Sequence, residues 1–312
     1  MDVLLAQPRG FCAGVTRAIA VVERALAQHG APVYVFHEIV HYGHVVQALR
    51  DQGAVFVNHI ADIPPGALTI FSAHGVAHSV VAEARSRQLR VIDATCPLVA
   101  KVHQQAQRYA QQGRTVLIIG HPEHDEVVGT LGSITGPARV VPSVAAAHAL
   151  LLPEGTPLAY VTQTTLSMDD ARDIIRTLAQ RFPGIQGPAL HDICYATQNR
   201  QAAVRVMASQ ADRLLVVGAR NSSNSARLRE VAEQQGVPAW LVEDASQIDP
   251  AWVHGARCIG VTAGASTPDY LVQAVCDRLH TLGAARVRQM PGKPERVGFK
   301  PPLMPAQDHA LA

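Results

Sequence analysis

Three cysteines are distinguished by where they fall. Cys12 in Pro8-Arg9-Gly10-Phe11-Cys12-Ala13-Gly14, Cys96 in Asp93-Ala94-Thr95-Cys96-Pro97 and Cys194 in Asp192-Ile193-Cys194-Tyr195-Ala196-Thr197 each follow a strand-like run and precede a helical pattern. After intervals of 29, 28 and 28 residues comes a polar loop, holding His41, His121 with His124, and Asn221-Ser222-Ser223-Asn224. A later strand-like run in each stretch ends in Ser72-Ala73-His74-Gly75, Thr162-Gln163-Thr164-Thr165 or Thr262-Ala263-Gly264-Ala265-Ser266-Thr267. The chain reads as three copies of one unit. Around a pseudo-threefold axis, such units aim three thiols at one centre and their polar loops at the space above it.

Three thiolates without a fourth suit a metal centre with an open position. A [4Fe–4S] cluster on three Cys leaves one iron free to act as Lewis acid beside an electron source. Zinc on Cys₃ or Cys₃His is the competing reading, although no close Cys pair of the zinc-knuckle kind is present. Packing is the plain reading of any cysteine, and it fits Cys258, in a strand-like run, and Cys276, in a helix-like stretch over 270–279. His41, His74, His124, Ser222, Ser223, Asn224 and Ser266 form a donor-rich set. With helix N-termini, such a set binds phosphate oxygens without Lys or Arg. Glu126 follows His124 by two residues. An enclosed carboxyl beside an anionic ligand has a raised pKa and can deliver protons. His29, His59, His103, His148 and His280 have no such context.

These residues need a frame. Apolar runs such as Val33-Tyr34-Val35-Phe36, Leu68-Thr69-Ile70-Phe71, Val116-Leu117-Ile118-Ile119, Leu158-Ala159-Tyr160-Val161, Leu214-Leu215-Val216-Val217 and Cys258-Ile259-Gly260-Val261 alternate with amphipathic stretches at 15–28, 98–112, 169–181 and 200–210. That alternation predicts parallel α/β architecture, with ligands beyond the carboxyl ends of the strands. A length of 312 residues allows two or three domains, and 48% hydrophobic with 17% charged residues excludes disorder as the main state. A net charge of +2 gives no field for nucleic acid or an anionic membrane. Five Cys cannot all pair within one chain. The start of the chain lacks a basic n-region and reads as a buried strand, and no run approaches membrane-spanning length, so a reducing cytoplasm is the expected compartment.

The segments 6–14, 93–99, 162–167, 192–201, 221–225 and 261–268 closely resemble the LytB-type 4-hydroxy-3-methylbut-2-enyl diphosphate reductase family, with motifs in order over about residues 1–280. The resemblance implies a trefoil of three α/β domains around a [4Fe–4S] cluster held by Cys12, Cys96 and Cys194. The corresponding boundaries are 14–95, 96–191, and 1–13 plus 192–281, with a Pro-rich tail over 282–312. It implies a diphosphate held by His41, His74, His124, Ser222, Ser223, Asn224 and Ser266, and proton delivery by Glu126 working with Thr164. It also implies two-electron removal of the substrate hydroxyl as water, giving isopentenyl and dimethylallyl diphosphates.

No Gly-x-Gly-x-x-Gly follows the first strand or Ile119, so electrons are expected from a ferredoxin or flavodoxin, as the family also implies. Two positions depart from the family pattern: Tyr42 stands where it usually has Asn, and Asp125 where it usually has Pro. Asp125 adds a charge beside the diphosphate loops, and the expected effect is on affinity or pH dependence. The tail, with Pro291, Pro294, Pro301, Pro302 and Pro305, is expected to be extended or partly disordered, at least near its end, and its last ten residues without a specific role; the resemblance implies that its early part lies across the domains near the site. Competing classes are a quinolinate-synthase-like enzyme, an iron–sulfur sensor and a zinc hydrolase. The His/Ser/Asn set and Thr162–Thr165 argue against the first; Glu126, the phosphate cradle and the lack of a basic stripe argue against the second.

Overall fold

The computed structural model describes residues 1–188, 192–292 and 294–304. The chain opens with β1 (Asp2–Leu5), α1 (Ala13–His29), β2 (Val33–Phe36), α2 (Gly43–Asp51), β3 (Ala54–Val57), β4 (Leu68–Phe71), α3 (His78–Ser86) and β5 (Arg90–Asp93). It continues with α4 (Pro97–Gln111), β6 (Thr115–Ile119), α5 (Asp125–Ser133), β7 (Ala138–Val141), α6 (Val144–Ala149), β8 (Leu158–Thr162) and α7 (Met168–Arg181). Last come α8 (Tyr195–Ala208), β9 (Arg213–Val217), α9 (Ser223–Gln234), β10 (Ala239–Val242), β11 (Cys258–Ala263), α10 (Asp269–Thr281) and β12 (Arg286–Gln289).

Three small sheets result, ordered β3-β2-β4-β5, β7-β6-β8 and β10-β9-β11-β1-β12, with every pairing parallel. The strands at the middle of each sheet are mostly apolar because helices cover both faces: β4 and β6 are buried at every residue, Thr69 and Thr115 included. Beside β8, Ala159 bridges Gln186 in parallel, at the place that β5 and β1 occupy in the other two sheets.

One strand in each sheet has no counterpart in the sequence reading. β3, β7 and β10 are four-residue edge strands with exposed or half-buried residues, so their apolar content is diluted. A second difference concerns the tail. Residues 282–312 were expected to lie outside the sheets, but Arg286-Val287-Arg288-Gln289 pairs with β1 in register from Asp2↔Arg286 to Leu5↔Gln289. All four residues of β12 are exposed, so the ladder, not burial, holds them, and no apolar run announces the strand. The third sheet therefore extends to residue 289. Helix α8 also begins at Tyr195, five residues before the predicted amphipathic stretch.

The early tail is pinned. The Glu295 carboxylate meets the Arg200 guanidinium at 3.0–3.2 Å and accepts from Asn199 Nδ2 at 2.9 Å. Arg200 is fully buried and also donates to the carbonyls of Gly10 and Ala196, so one side chain ties the tail to the loops carrying Cys12 and Cys194. Arg17 reaches the Lys300 carbonyl and the carbonyls of Ala94 and Thr95, just before Cys96. Breaking a buried pair from one side leaves an uncompensated charge. Glu295→Ala is expected to cost about 3–5 kcal/mol, read as a lower Tm in thermal denaturation; an unchanged Tm would show that the tail is not fastened here. The expected role of the last ten residues falls mainly on 305–312, which lie outside the described residues.

Candidate active site

Each of the three cysteines is the N-cap of a helix: Cys12 of α1, Cys96 of α4 and Cys194 of α8. In each case the chain has left one sheet, at β1, β5 or the Gln186 bridge, and enters the helix that leads into the next. The same hydrogen bonds recur three times. The Cys12, Cys96 and Cys194 N–H groups donate to the carbonyls of Ala265, Ala73 and Thr164, at 3.1, 2.9 and 3.1 Å. Their own carbonyls accept the first helical bonds, from Thr16, Ala100 and Gln198. Loops that follow β11, β4 and β8 thus hold the three thiols in equivalent places, as the repeat predicts.

All twelve residues singled out in the sequence line one cavity: Cys12, Cys96, Cys194, His41, His74, His124, Glu126, Thr164, Ser222, Ser223, Asn224 and Ser266. No Lys or Arg lines it. The N-termini of α2, α5 and α9 follow His41, His124 and Ser222 directly or within one residue, and supply unpaired backbone N–H groups of the kind that attract anions. Ser222 Oγ caps α9 by accepting from Ser225 N–H at 3.4 Å. Asn224 Oδ1 accepts from Ala265 N–H at 2.9 Å, and Ser266 Oγ donates to the His41 carbonyl at 3.1 Å.

The histidine rings form a cluster. His41 and His74 stack with centroids 4.1 Å apart, and His124 stands edge-on to both, at 5.4 and 6.0 Å. Burial holds His74 well below its ordinary pKa, with the His41 and His124 rings adding to the effect, and burial together with His41 brings His124 down to about 4. These two rings are neutral donors and acceptors near pH 7. His124 Nδ1 accepts from Glu126 N–H, which leaves its proton on Nε2.

Glu126 is 3% exposed. Thr164 donates from its N–H to one carboxylate oxygen at 2.6 Å and from Oγ to the other at 2.8 Å. Burial nevertheless wins over these two bonds and pushes the carboxyl up to about 7. A group poised there exchanges a proton at neutral pH.

The sulfurs suit a multinuclear centre better than one ion. Tetrahedral zinc draws its sulfurs to roughly 3.8 Å from one another, given Zn–S bonds of about 2.3 Å. Among the described residues, the group of potential ligands whose atoms all fall within 4.8 Å of one another is His41, His74 and Asp125; the three sulfurs are spread wider. Space between them is kept by Gly14, where a Cβ would lie 2.7 Å from Cys96 Sγ and 3.8 Å from Cys12 Sγ. Burial pushes the Cys96 thiol up to about 12 against hydrogen bonds from the Leu98 and Val99 backbone, and Cys12 and Cys194 nearby add to it. Cys194 is raised for the same first reason, although Thr197 donates to its sulfur. Burial thus keeps Cys96 and Cys194 as neutral thiols on their own, and a bound cationic centre would be what ionises them.

Sequence reasoning missed several residues that set this geometry. Thr197, one turn after Cys194, touches its sulfur at 3.2 Å and accepts from Asn224 at 3.4 Å. Thr165 and Gln163 both reach Ser223 Oγ. Glu38 accepts from His41 Nδ1 and from Asn221. Only the Thr197 position, three residues into a Cys-capped helix, had a local signal. Tyr42 is fully buried and its hydroxyl donates to the Glu243 carbonyl, away from the cavity. Asp125 accepts from His37 at 3.0 Å. Burial works against its charge, but His37, His74 and His41 hold the carboxyl down at about 2. Cys258 begins β11, and Cys276 lies in the core of α10.

Three parallel α/β units whose Cys-capped helices converge on one cavity define a trefoil class of protein built around a three-thiol centre. The family model described as LytB protein matches residues 3–280, and the chain belongs to this family. It is 55% identical to 4-hydroxy-3-methylbut-2-enyl diphosphate reductase 2 of Bradyrhizobium diazoefficiens, over 97% of this chain and 98% of the relative. It is 57% identical to 4-hydroxy-3-methylbut-2-enyl diphosphate reductase of Burkholderia pseudomallei, over 97% and 96%. Among solved structures, the E-1-hydroxy-2-methyl-but-2-enyl-4-diphosphate reductase of Plasmodium falciparum superposes with a TM-score of 0.94 at 37% identity, covering 96% of this chain and 95% of that one. No helix among the described residues is long and apolar enough to cross a membrane.

Proposed function

We propose that this chain is an iron–sulfur oxidoreductase of the non-mevalonate isoprenoid pathway. It takes (E)-4-hydroxy-3-methylbut-2-enyl diphosphate, two electrons and two protons to water plus isopentenyl or dimethylallyl diphosphate. The observation that carries this reading is one cavity in which three Cys-capped helices face a Lys- and Arg-free set of His, Ser and Asn donors around one buried carboxyl.

Cys12, Cys96 and Cys194 would hold a [4Fe–4S] cluster, which supplies electrons and an open Lewis-acid iron when bound. His41, His74, His124, Ser222, Ser223, Asn224 and Ser266 would grip the diphosphate without Lys or Arg, His74 and His124 as neutral donors, aided by the N-termini of α2, α5 and α9. Glu126, protonated at its raised pKa and oriented by Thr164, would deliver the proton that lets the hydroxyl leave as water. The apolar lining, Val15, Val40, Leu98 and Val99, suits a C5 chain and excludes bulk water from it.

Electrons would enter on the Cys12 side. A surface cleft of about 370 Å³ there is lined by Phe11, Cys12, Arg17, Arg24, Tyr195 and Phe299. Its two arginines suit an acidic donor such as a ferredoxin or flavodoxin in the cytoplasm.

Anaerobically purified protein, assayed for iron and acid-labile sulfide and supplied with substrate and a reduced one-electron donor, tests the proposal. A brown protein forming both isoprenoid diphosphates is expected; a colourless, zinc-bearing protein would overturn it. Gly14→Ala sharpens the cluster claim. Its new methyl group enters the space beside Cys96 Sγ. Iron and sulfide content should fall several-fold with the helical circular dichroism unchanged, and full loading would mean that the centre does not occupy this space.

A further inference from the structure

We infer that His41, His74 and Asp125 form a mononuclear site for a divalent transition-metal ion of the zinc type, separate from the three cysteines. His41 Nε2 and His74 Nδ1 each lie 3.9 Å from Asp125 Oδ2, and all three ligand atoms fall within 4.8 Å of one another. Zinc bonds to nitrogen and oxygen at about 2.0–2.2 Å put neighbouring ligand atoms roughly 3.3 Å apart, so each ring closes on Asp125 by little more than about half an ångström and the two ring nitrogens close on each other by at most about 1.5 Å. Two imidazoles and one carboxylate, with a position open to a cavity, make a donor set that suits zinc rather than magnesium or calcium.

The surroundings are arranged as an outer shell would be. Glu38 accepts from His41 Nδ1 at 3.2 Å, which fixes the tautomer with Nε2 available as a ligand, and Asn221 holds Glu38 in turn at 3.0 Å. A carboxylate behind a ligating histidine is the usual support for such a site. His37 Nδ1 donates to the other oxygen of Asp125 at 3.0 Å, leaving Oδ2 toward the two rings. A competing contact, Ser72 Oγ with His74 Nδ1, is long at 3.4 Å. Asp125 is the first residue of α5, so the site owes its third ligand to a helix position that a proline also fills without harm. An ion here would occupy the two rings assigned above to the diphosphate, and zinc and substrate would compete. That consequence rests on the proposed function; the metal site does not.

The test uses the cluster-loaded protein, freed of loose metal and titrated anaerobically with zinc chloride alone by calorimetry. Iron is measured before and after. One zinc equivalent is expected with iron unchanged. Asp125→Pro and Asp125→Asn should each weaken zinc binding about tenfold or more. If the proline variant does not load its cluster, the asparagine variant decides. No zinc uptake, wild-type affinity in Asp125→Asn, or uptake that rises only as iron is lost would each overturn the site.

Discussion

Glu126→Gln is expected to lower kcat by about 100- to 10,000-fold, the usual range for a positioned proton donor, while substrate affinity stays within a few-fold of the parent. The carboxamide keeps the volume and still accepts from Thr164 N–H, so the cavity retains its shape. What it loses is an exchangeable proton. The pH profile gives the sharper reading. Burial pushes Glu126 up to about 7, against two hydrogen bonds from Thr164 that favour the charged form. A carboxyl with a raised pKa is protonated below that value. A rate that needs the acid is therefore full below pH 7 and falls as pH rises through it. Thr164→Val removes one of the opposing hydrogen bonds, so the descending limb should move to higher pH; in Glu126→Gln the limb should be absent. A Gln variant with parental kcat, or a parent whose rate climbs through pH 7, would remove Glu126 from proton delivery.

Cys96→Ser is the second large effect, and its value lies in what it spares. Cys96 caps α4, and serine is among the best N-cap residues, so the helix should survive the change. The hydroxyl, however, does not ionise to replace a thiolate ligand in a site where burial already raises the native thiol to about 12. The variant should fold with parental circular dichroism, purify without colour or acid-labile sulfide, and show no turnover. Cys258→Ser serves as the contrast: Cys258 starts β11, outside the cavity, and its substitution should leave iron content and rate unchanged. A brown, active Cys96→Ser protein would overturn the ligand assignment. Equal loss in both variants would make the effect one of general destabilisation.

Much of this arrangement was legible before any coordinates. The three cysteines, the 28–29-residue intervals and the polar loops all belong to strand–turn–helix steps, in which position along the chain dictates position in space. A residue that ends a parallel strand and starts a helix must lie at the sheet's carboxyl edge, whichever sheet it is. The repeat then makes the three edges equivalent, and the threefold set of Cys N–H bonds to Ala265, Ala73 and Thr164 is the structural form of that regularity.

What escaped the sequence lies across units or at edges. β12 is polar and exposed, and only its ladder with β1 makes it a strand. Glu295 reads as one more tail charge until Arg200, 95 residues earlier, is found buried beneath it. Asp125 is legible as a departure from the family's usual proline, but its company, His37, His41 and His74, comes from another sheet's loops. The same division applies to chemistry. Residue type and interval brought Cys12, Cys96, Cys194 and Glu126 to the strand ends that line one cavity, because local backbone geometry repeats faithfully along a chain. Tertiary structure alone decided which protons those groups hold, because ionisation follows burial and through-space neighbours, and neither is written in the order of residues.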